Sequence, residues 1–174
     1  MKYCNQCGKT NELIIPKNHT KLRFVCSNCG FIHYENPRIV VGTVPVFNDQ
    51  ILLCLRAIEP RKNYWTLPAG FLENDESLAE GAVRESMEEA NISPILGPML
   101  AIIDVVHAHQ VHIFFRATLD KPEFSPGIES LDVKMFNINE IPWDNMAFKT
   151  GKIALKAMIE KPVNDLEPIY KTIE

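Results

Sequence analysis

At 174 residues, 46% hydrophobic and 23% charged, the chain has a globular composition, with room for one medium domain and a small appendage. A net charge of −4 gives no support for general affinity for nucleic acid or a membrane surface. No signal peptide, membrane-length apolar run or internal repeat is visible, so a cytoplasmic location without a membrane partner is expected.

Residues 1–35 hold four of the five cysteines, as Cys4-x2-Cys7 and Cys26-x2-Cys29, each pair followed by a glycine. Such knuckles turn backbone amides toward the thiolates, and two of them can supply four tetrahedral sulfur ligands to Zn²⁺. Redox dithiols and two disulfides are the rival readings; the matched pair favours zinc. A segment this short cannot build its own core, so the metal would largely fold it. The segment is mildly basic, with Lys2, Lys9, Lys17, Lys21 and Arg23 against Glu12 and Glu35, but lacks a basic-aromatic alternation. Nucleic acid is therefore not an expected partner. This segment is expected to be a scaffold, packing on the larger domain or on a second subunit in a homodimer.

Pro37 enforces an extended lead-in. Ile39–Phe47 and Ile51–Ala57, joined by a turn at Asn48-Asp49, read as a hairpin of buried strands, with Cys54 as a small core residue. The stretch Ile58–Asn63 reads as a loop rich in charge.

Ser77 with Glu80 three positions later is a capping box, and Asn91 suits a left-handed helix end. On the helix between them, Glu85, Glu88 and Glu89 fall within roughly a third of a turn. Leu78, Ala79, Ala82, Val83, Met87 and Ala90 form the apolar arc. Stacked carboxylates destabilise a helix unless offset. Arg84 can pair with Glu80 or Glu88, and a divalent cation can sit among the carboxylates; oxygen ligands suit Mg²⁺ or Mn²⁺. A solvated acidic face is the plainer alternative.

Beyond the helix, Leu100–Val106, Val111–Leu119 and Leu131–Ile138 read as strands and Phe148–Glu160 as a helix. His107, His109 and His112 are expected to be exposed near a turn, and residues from Lys161 onward form an irregular tail.

The stretch from Gly70 to Ile92 resembles the Nudix box, G-x5-E-x7-R-E-U-x-E-E-x-G-U with U aliphatic. Gly70, Glu76, Arg84, Glu85, Glu88, Glu89 and Ile92 match position by position. Ser86 replaces an aliphatic and Asn91 the final glycine; Ser86 can return its hydroxyl to a carbonyl one turn back, and neither change removes a ligand. The resemblance spans essentially the whole chain. It implies an α+β fold, a mixed-sheet α/β/α sandwich preceded by a small four-cysteine zinc ribbon. The expected division is ribbon 1–35, Nudix hydrolase domain 36–161 and C-terminal tail 162–174.

The resemblance also implies chemistry, the Mg²⁺- or Mn²⁺-dependent hydrolysis of a nucleoside-linked diphosphate. Glu85, Glu88, Glu89 and the Gly70 carbonyl would hold the metal, Cys4, Cys7, Cys26 and Cys29 the zinc. Glu76 and Arg84 would orient the carboxylates, and Glu129 in the PGIES segment is the candidate base, with an exposed loop acid as its equal alternative. The ribbon together with ENPRIVVG, WTLPAGFLE and PGIES resembles FAD pyrophosphohydrolases and ADP-ribose pyrophosphatases, which implies FAD as the first expected substrate and ADP-ribose as the next. NADH pyrophosphatases rank lower, because their S-Q-P-W-P-F-P-x-S segment is replaced here by GPMLAIIDVVHAHQV. A flavin ring would need an apolar slot, for which Trp65, Phe71 and Trp143 are available. The competing class is a binding module that senses a nucleotide or nucleic acid without cleavage.

Overall fold

The computed structural model describes residues 1–162 and 164–174. The chain forms two compact units that divide between Asn36 and Pro37. The first is an antiparallel sheet of β1 (Asn11–Ile14), β2 (Arg23–Cys26) and β3 (Ile32–His33). Each cysteine knuckle closes on its glycine: the Gly8 and Gly30 amides donate to the carbonyls of Cys4 (2.9 Å) and Cys26 (3.0 Å). Both glycines have φ near +70°, at 71° and 73°, a conformation that side chains resist.

The second unit contains β4 (Arg38–Phe47), β5 (Gln50–Arg56), β6 (Trp65–Thr66), β7 (Ala69–Phe71) and α1 (Leu78–Ala90). After them come β8 (Ile95–Val105), β9 (Gln110–Thr118), β10 (Ser130–Asn137), α2 (Lys149–Glu160) and β11 (Ile169–Ile173). The strands make one mixed sheet in the order β10-β5-β4-β9-β8-β11, with β6 paired to β5 and β7 to β4. The pairs β4–β9 and β8–β11 are parallel.

Period-2 alternation assigns the two faces. Val41, Ile113 and Phe115 pack with Ala82 of α1, whereas Val44, Leu53, Ile103 and Phe114 pack with Ala154 and Leu155 of α2. Each fully buried aliphatic contributes about 1.5–3 kcal/mol. The result is the α/β/α sandwich. No helix among the described residues is long and apolar enough to cross a membrane.

Two expectations need correction. Strand β8 begins at Ile95, five residues before Leu100, and passes Gly97-Pro98 through register shifts between Leu96 and Ala101. A bulge absorbs the proline, which cannot serve a regular ladder. The tail expected over 162–174 is not irregular throughout: Ile169–Ile173 pairs in parallel with Ala101–Val105. Its Ile169 and Ile173 lean on the main core, while a preformed sheet edge supplies the backbone partners. Val163, in the same expected tail, lies outside the described residues.

Candidate active site

Helix α1 starts at the expected cap. The Ser77 hydroxyl accepts from the Glu80 amide (3.3 Å), and the Glu80 carboxylate accepts from the Ser77 amide (2.8 Å). At the other end Asn91 is left-handed, with φ 52° and ψ 39°. The buried face differs from the apolar arc: Met87 is exposed, and Gly81, Ala82, Glu85, Ser86, Glu89 and Ala90 are buried. Small residues on this stripe bring the helix close to the sheet, so the two carboxylates between them are carried inward. Ser86, the departure from the aliphatic position, is satisfied twice, donating to the Ala82 carbonyl (2.8 Å) and meeting the Thr43 hydroxyl (2.7 Å).

Gly70 explains how Glu85 fits. A Cβ there would lie 2.4 Å from the Glu85 carboxyl group, so only a residue without a side chain allows the carboxylate to rest against β7. Glu89 is 5% exposed and accepts from the Ala69 amide (3.2 Å). Burial raises both groups, Glu89 to about 8, and nearby Glu129 adds to the effect.

Arg84 does not pair with Glu80. Its guanidinium holds Glu76 (2.6 Å), Glu85 (2.7 Å) and Glu88 (3.2 Å), and donates to the Phe71 carbonyl (2.9 Å). Glu80 is engaged by its own cap, which leaves Arg84 to bridge the helix to the loop before it. Its hydrogen bonds hold Glu76 down to about 2. One arginine thus serves three of four neighbouring carboxylates. The remaining negative charge, on hard oxygen donors, fits a divalent cation.

These groups open on a cleft of about 1550 Å³ lined by Gly70, Arg84, Glu85, Glu88 and Glu89. Glu129 lines it too, so tertiary folding brings this loop acid to the box carboxylates. Glu76 stands behind Arg84 instead. Of the three aromatics considered for a flavin slot, Phe71 lines the cleft, with the Arg38 guanidinium 4.5 Å from its ring centre. Trp65 packs edge-on against Phe136, and Trp143 lies against the core. His107 and His109 are exposed, but His112 is half-buried in the cleft wall, and burial lowers it to about 4. Sequence reasoning missed Arg56, whose guanidinium lies 5.1 Å over Phe148; both line the cleft. A strand-end arginine before a charged loop was its one signal.

In the first unit all four sulfur atoms lie within 4.8 Å of one another, the one such group of His, Cys, Asp or Glu ligands among the described residues. Separations of 3.8, 3.5 and 3.6 Å join Cys4–Cys29, Cys7–Cys26 and Cys7–Cys29. A tetrahedron with Zn–S near 2.3 Å places its sulfurs about 3.8 Å apart, whereas a disulfide needs about 2 Å. The amides of Gln6 and Cys29 point at Cys4 and Cys26 sulfurs, each at 3.4 Å. The donor set fits zinc. Cys54 is buried in the second unit's core, as expected.

The sequence profile of the NUDIX domain matches residues 36–157, and that of the Nudix N-terminal zinc ribbon matches residues 2–35. The NAD-capped RNA hydrolase NudC of Vibrio parahaemolyticus is 30% identical over 95% of this chain. The chain spans about three fifths of that relative, 61% of its length. A NUDIX hydrolase from Nitrosomonas europaea superimposes with a TM-score of 0.94 at 43% identity, covering 99% of each chain. A bifunctional NMN adenylyltransferase/ADP ribose pyrophosphatase from Francisella tularensis, complexed with AMP and a Mn ion, gives 0.60 at 26% identity over 73% of this chain and 42% of its own. With an acidic helix laid against a glycine strand, and both profiles spanning nearly the whole sequence, the chain belongs to the NUDIX hydrolase family, joined to that family's N-terminal zinc ribbon.

Proposed function

We propose that the chain is a Mg²⁺- or Mn²⁺-dependent pyrophosphatase that splits the diphosphate of an ADP-linked compound, with Zn²⁺ folding the ribbon. The observation that carries this reading is the convergence of Gly70, Glu85, Glu88, Glu89 and Glu129 on one cleft. Glu85, Glu88, Glu89 and the Gly70 carbonyl would hold the cation, which when bound would neutralise the diphosphate and act as a Lewis acid. Arg84, anchored by Glu76, orients Glu85 and Glu88. Glu129 takes the proton of the attacking water. Phe71 with Arg38 and Phe148 with Arg56 offer flat, cation-backed surfaces to a base or ring. A cleft of about 1550 Å³ has room for a dinucleotide.

ADP-ribose, giving AMP and ribose 5-phosphate, leads the substrates, supported by the Francisella relative with its AMP and Mn. FAD, giving FMN and AMP, presents the same adenosine diphosphate half and comes next. The 30% identity to NudC favours a second reading, NADH or an NAD-capped RNA end. Four cysteines set to hold Zn²⁺ as thiolates and a fifth buried as a reduced thiol suit the reducing cytoplasm, which we take as its location.

A panel of ADP-ribose, FAD, NADH and CoA, assayed with Mg²⁺ and with Mn²⁺, tests the proposal. AMP should appear with its partner monophosphate from ADP-ribose, FAD or NADH, and adenosine 3′,5′-bisphosphate from CoA, and ¹⁸O-water should label one of the two products. Release of inorganic phosphate from FAD, or action confined to nucleoside triphosphates, overturns it. A NAD-capped oligonucleotide distinguishes the NudC-like reading.

A further inference from the structure

Asn91 stands where the box carries glycine, and its backbone keeps the left-handed conformation of that position. Glycine would cap the helix as well, so capping alone does not account for the side chain. Its amide is committed elsewhere: Nδ2 donates to the carbonyls of Ser125 (3.1 Å) and Pro126 (3.3 Å).

The loop that receives these bonds is already fastened to the end of α1. The Ser125 amide donates to the Ala90 carbonyl (3.0 Å), and the Gly127 amide to the Glu89 carbonyl (3.1 Å). Helix-end carbonyls need such partners, and the loop lies so close that a Cβ on Gly127 would sit 1.6 Å from the Glu88 carbonyl oxygen. Two residues after that contact, Glu129 enters the cleft. Its own carbonyl accepts from the Ala57 amide (2.8 Å), which ties the far side of the loop to β5.

We infer that Asn91 is a positioning residue: its side-chain amide registers the 125–129 loop on the carboxylate-bearing helix and so sets where Glu129 stands relative to Glu85 and Glu89. The inference rests on the role proposed above for Glu129. Without the amide, two carbonyls lose their donor and backbone bonds alone hold the approach to Gly127. A catalytic group displaced by about 1 Å can lose on the order of 100-fold in rate. A partial loss, without loss of substrate binding, follows for a loop still held by its backbone.

The experiment uses the full chain with ADP-ribose and Mg²⁺, or whichever member of the panel it cleaves fastest. Asn91→Gly and Asn91→Asp both tolerate the left-handed cap and both remove the donor. Each should lower kcat roughly 10-fold, leave KM within about twofold and lower the melting temperature by no more than roughly 5 °C. Glu129→Gln should lower kcat at least on the order of 100-fold, and adding Asn91→Gly to it should cost nothing further. Wild-type kcat in Asn91→Gly, or a further 10-fold fall in the double variant, overturns the Asn91 inference and leaves Glu129 in place. Wild-type kcat in Glu129→Gln instead overturns the Glu129 reading itself, and the inference with it.

Discussion

Glu89→Gln should make the metal-free protein more stable and the metal-loaded protein relatively less so. Glu89 is 5% exposed, with one amide donor to its carboxylate, and burial is the main reason it rises from 4.5 to about 8. A carboxyl raised on folding binds more protons folded than unfolded. Its contribution is therefore fully present below about pH 4.5 and is lost as pH rises toward about 8. At pH 7 the penalty spans about 2.5 pH units, or roughly 3 kcal/mol at about 1.4 kcal/mol each. Glutamine copies the neutral acid in shape, keeps an acceptor for the Ala69 amide and escapes that penalty. For a domain of this size the gain corresponds to roughly 6–12 °C in melting temperature at most. Thermal denaturation of both proteins in EDTA at pH 5, 7 and 8.5 measures it; the ribbon is common to both and cancels in the difference. The gap should be smallest at pH 5, about a quarter of its pH 7 value, and widen with pH. Adding Mn²⁺ should raise the wild type more than the variant, because the ligand charge is missing. A variant less stable than wild type in EDTA at pH 7, a gap independent of pH, or equal Mn²⁺ shifts would refute the account.

Four other outcomes are expected. Glu88→Gln, at an exposed position, should fold normally while turnover falls on the order of 100-fold or more, since part of the cation's charge stabilisation goes with it; near-normal turnover from both it and Glu85→Gln would remove the metal site. Gly70→Ala forces its Cβ into the Glu85 carboxyl group, so activity should drop steeply while far-UV circular dichroism stays unchanged. His112, lowered from 6.5 to about 4 by burial, contributes stability that is present above pH 6.5 and lost as pH falls toward 4. His112→Gln should flatten that loss, by less than about 3 kcal/mol given its partial exposure, as read by urea melts across this range. Metal analysis should find one Zn²⁺ per chain, and Cys4→Ser should lose it with the near-UV and exchange signatures of a folded ribbon; zinc-free undamaged protein would end that assignment.

Features governed by neighbours in the chain could be read without the fold. The box carboxylates, the Ser77–Glu80 cap, the left-handed Asn91 and the paired cysteine knuckles depend on residues within a few positions, where spacing and conformation are the same thing. The strands on either side of Asn48-Asp49 and helix α2 were legible for the same reason, through their apolar periodicity. Other features needed the assembled sheet. Arg84 chose Glu76 over Glu80 because the loop before α1 folds back within reach. Glu85 and Glu89 became the buried pair because Gly81, Ala82 and Ser86 let the helix sink onto the sheet. Residues Ile169–Ile173 carry too little apolar pattern to declare a strand and acquired one from the free edge of β8. Glu129, 40 residues from Glu89 in sequence, reached the cleft through backbone and side-chain bonds between its loop and the end of α1. Local chemistry belongs to short stretches of chain, whereas the partners of a charge or a loop are set by contacts whose sequence separation no periodicity records.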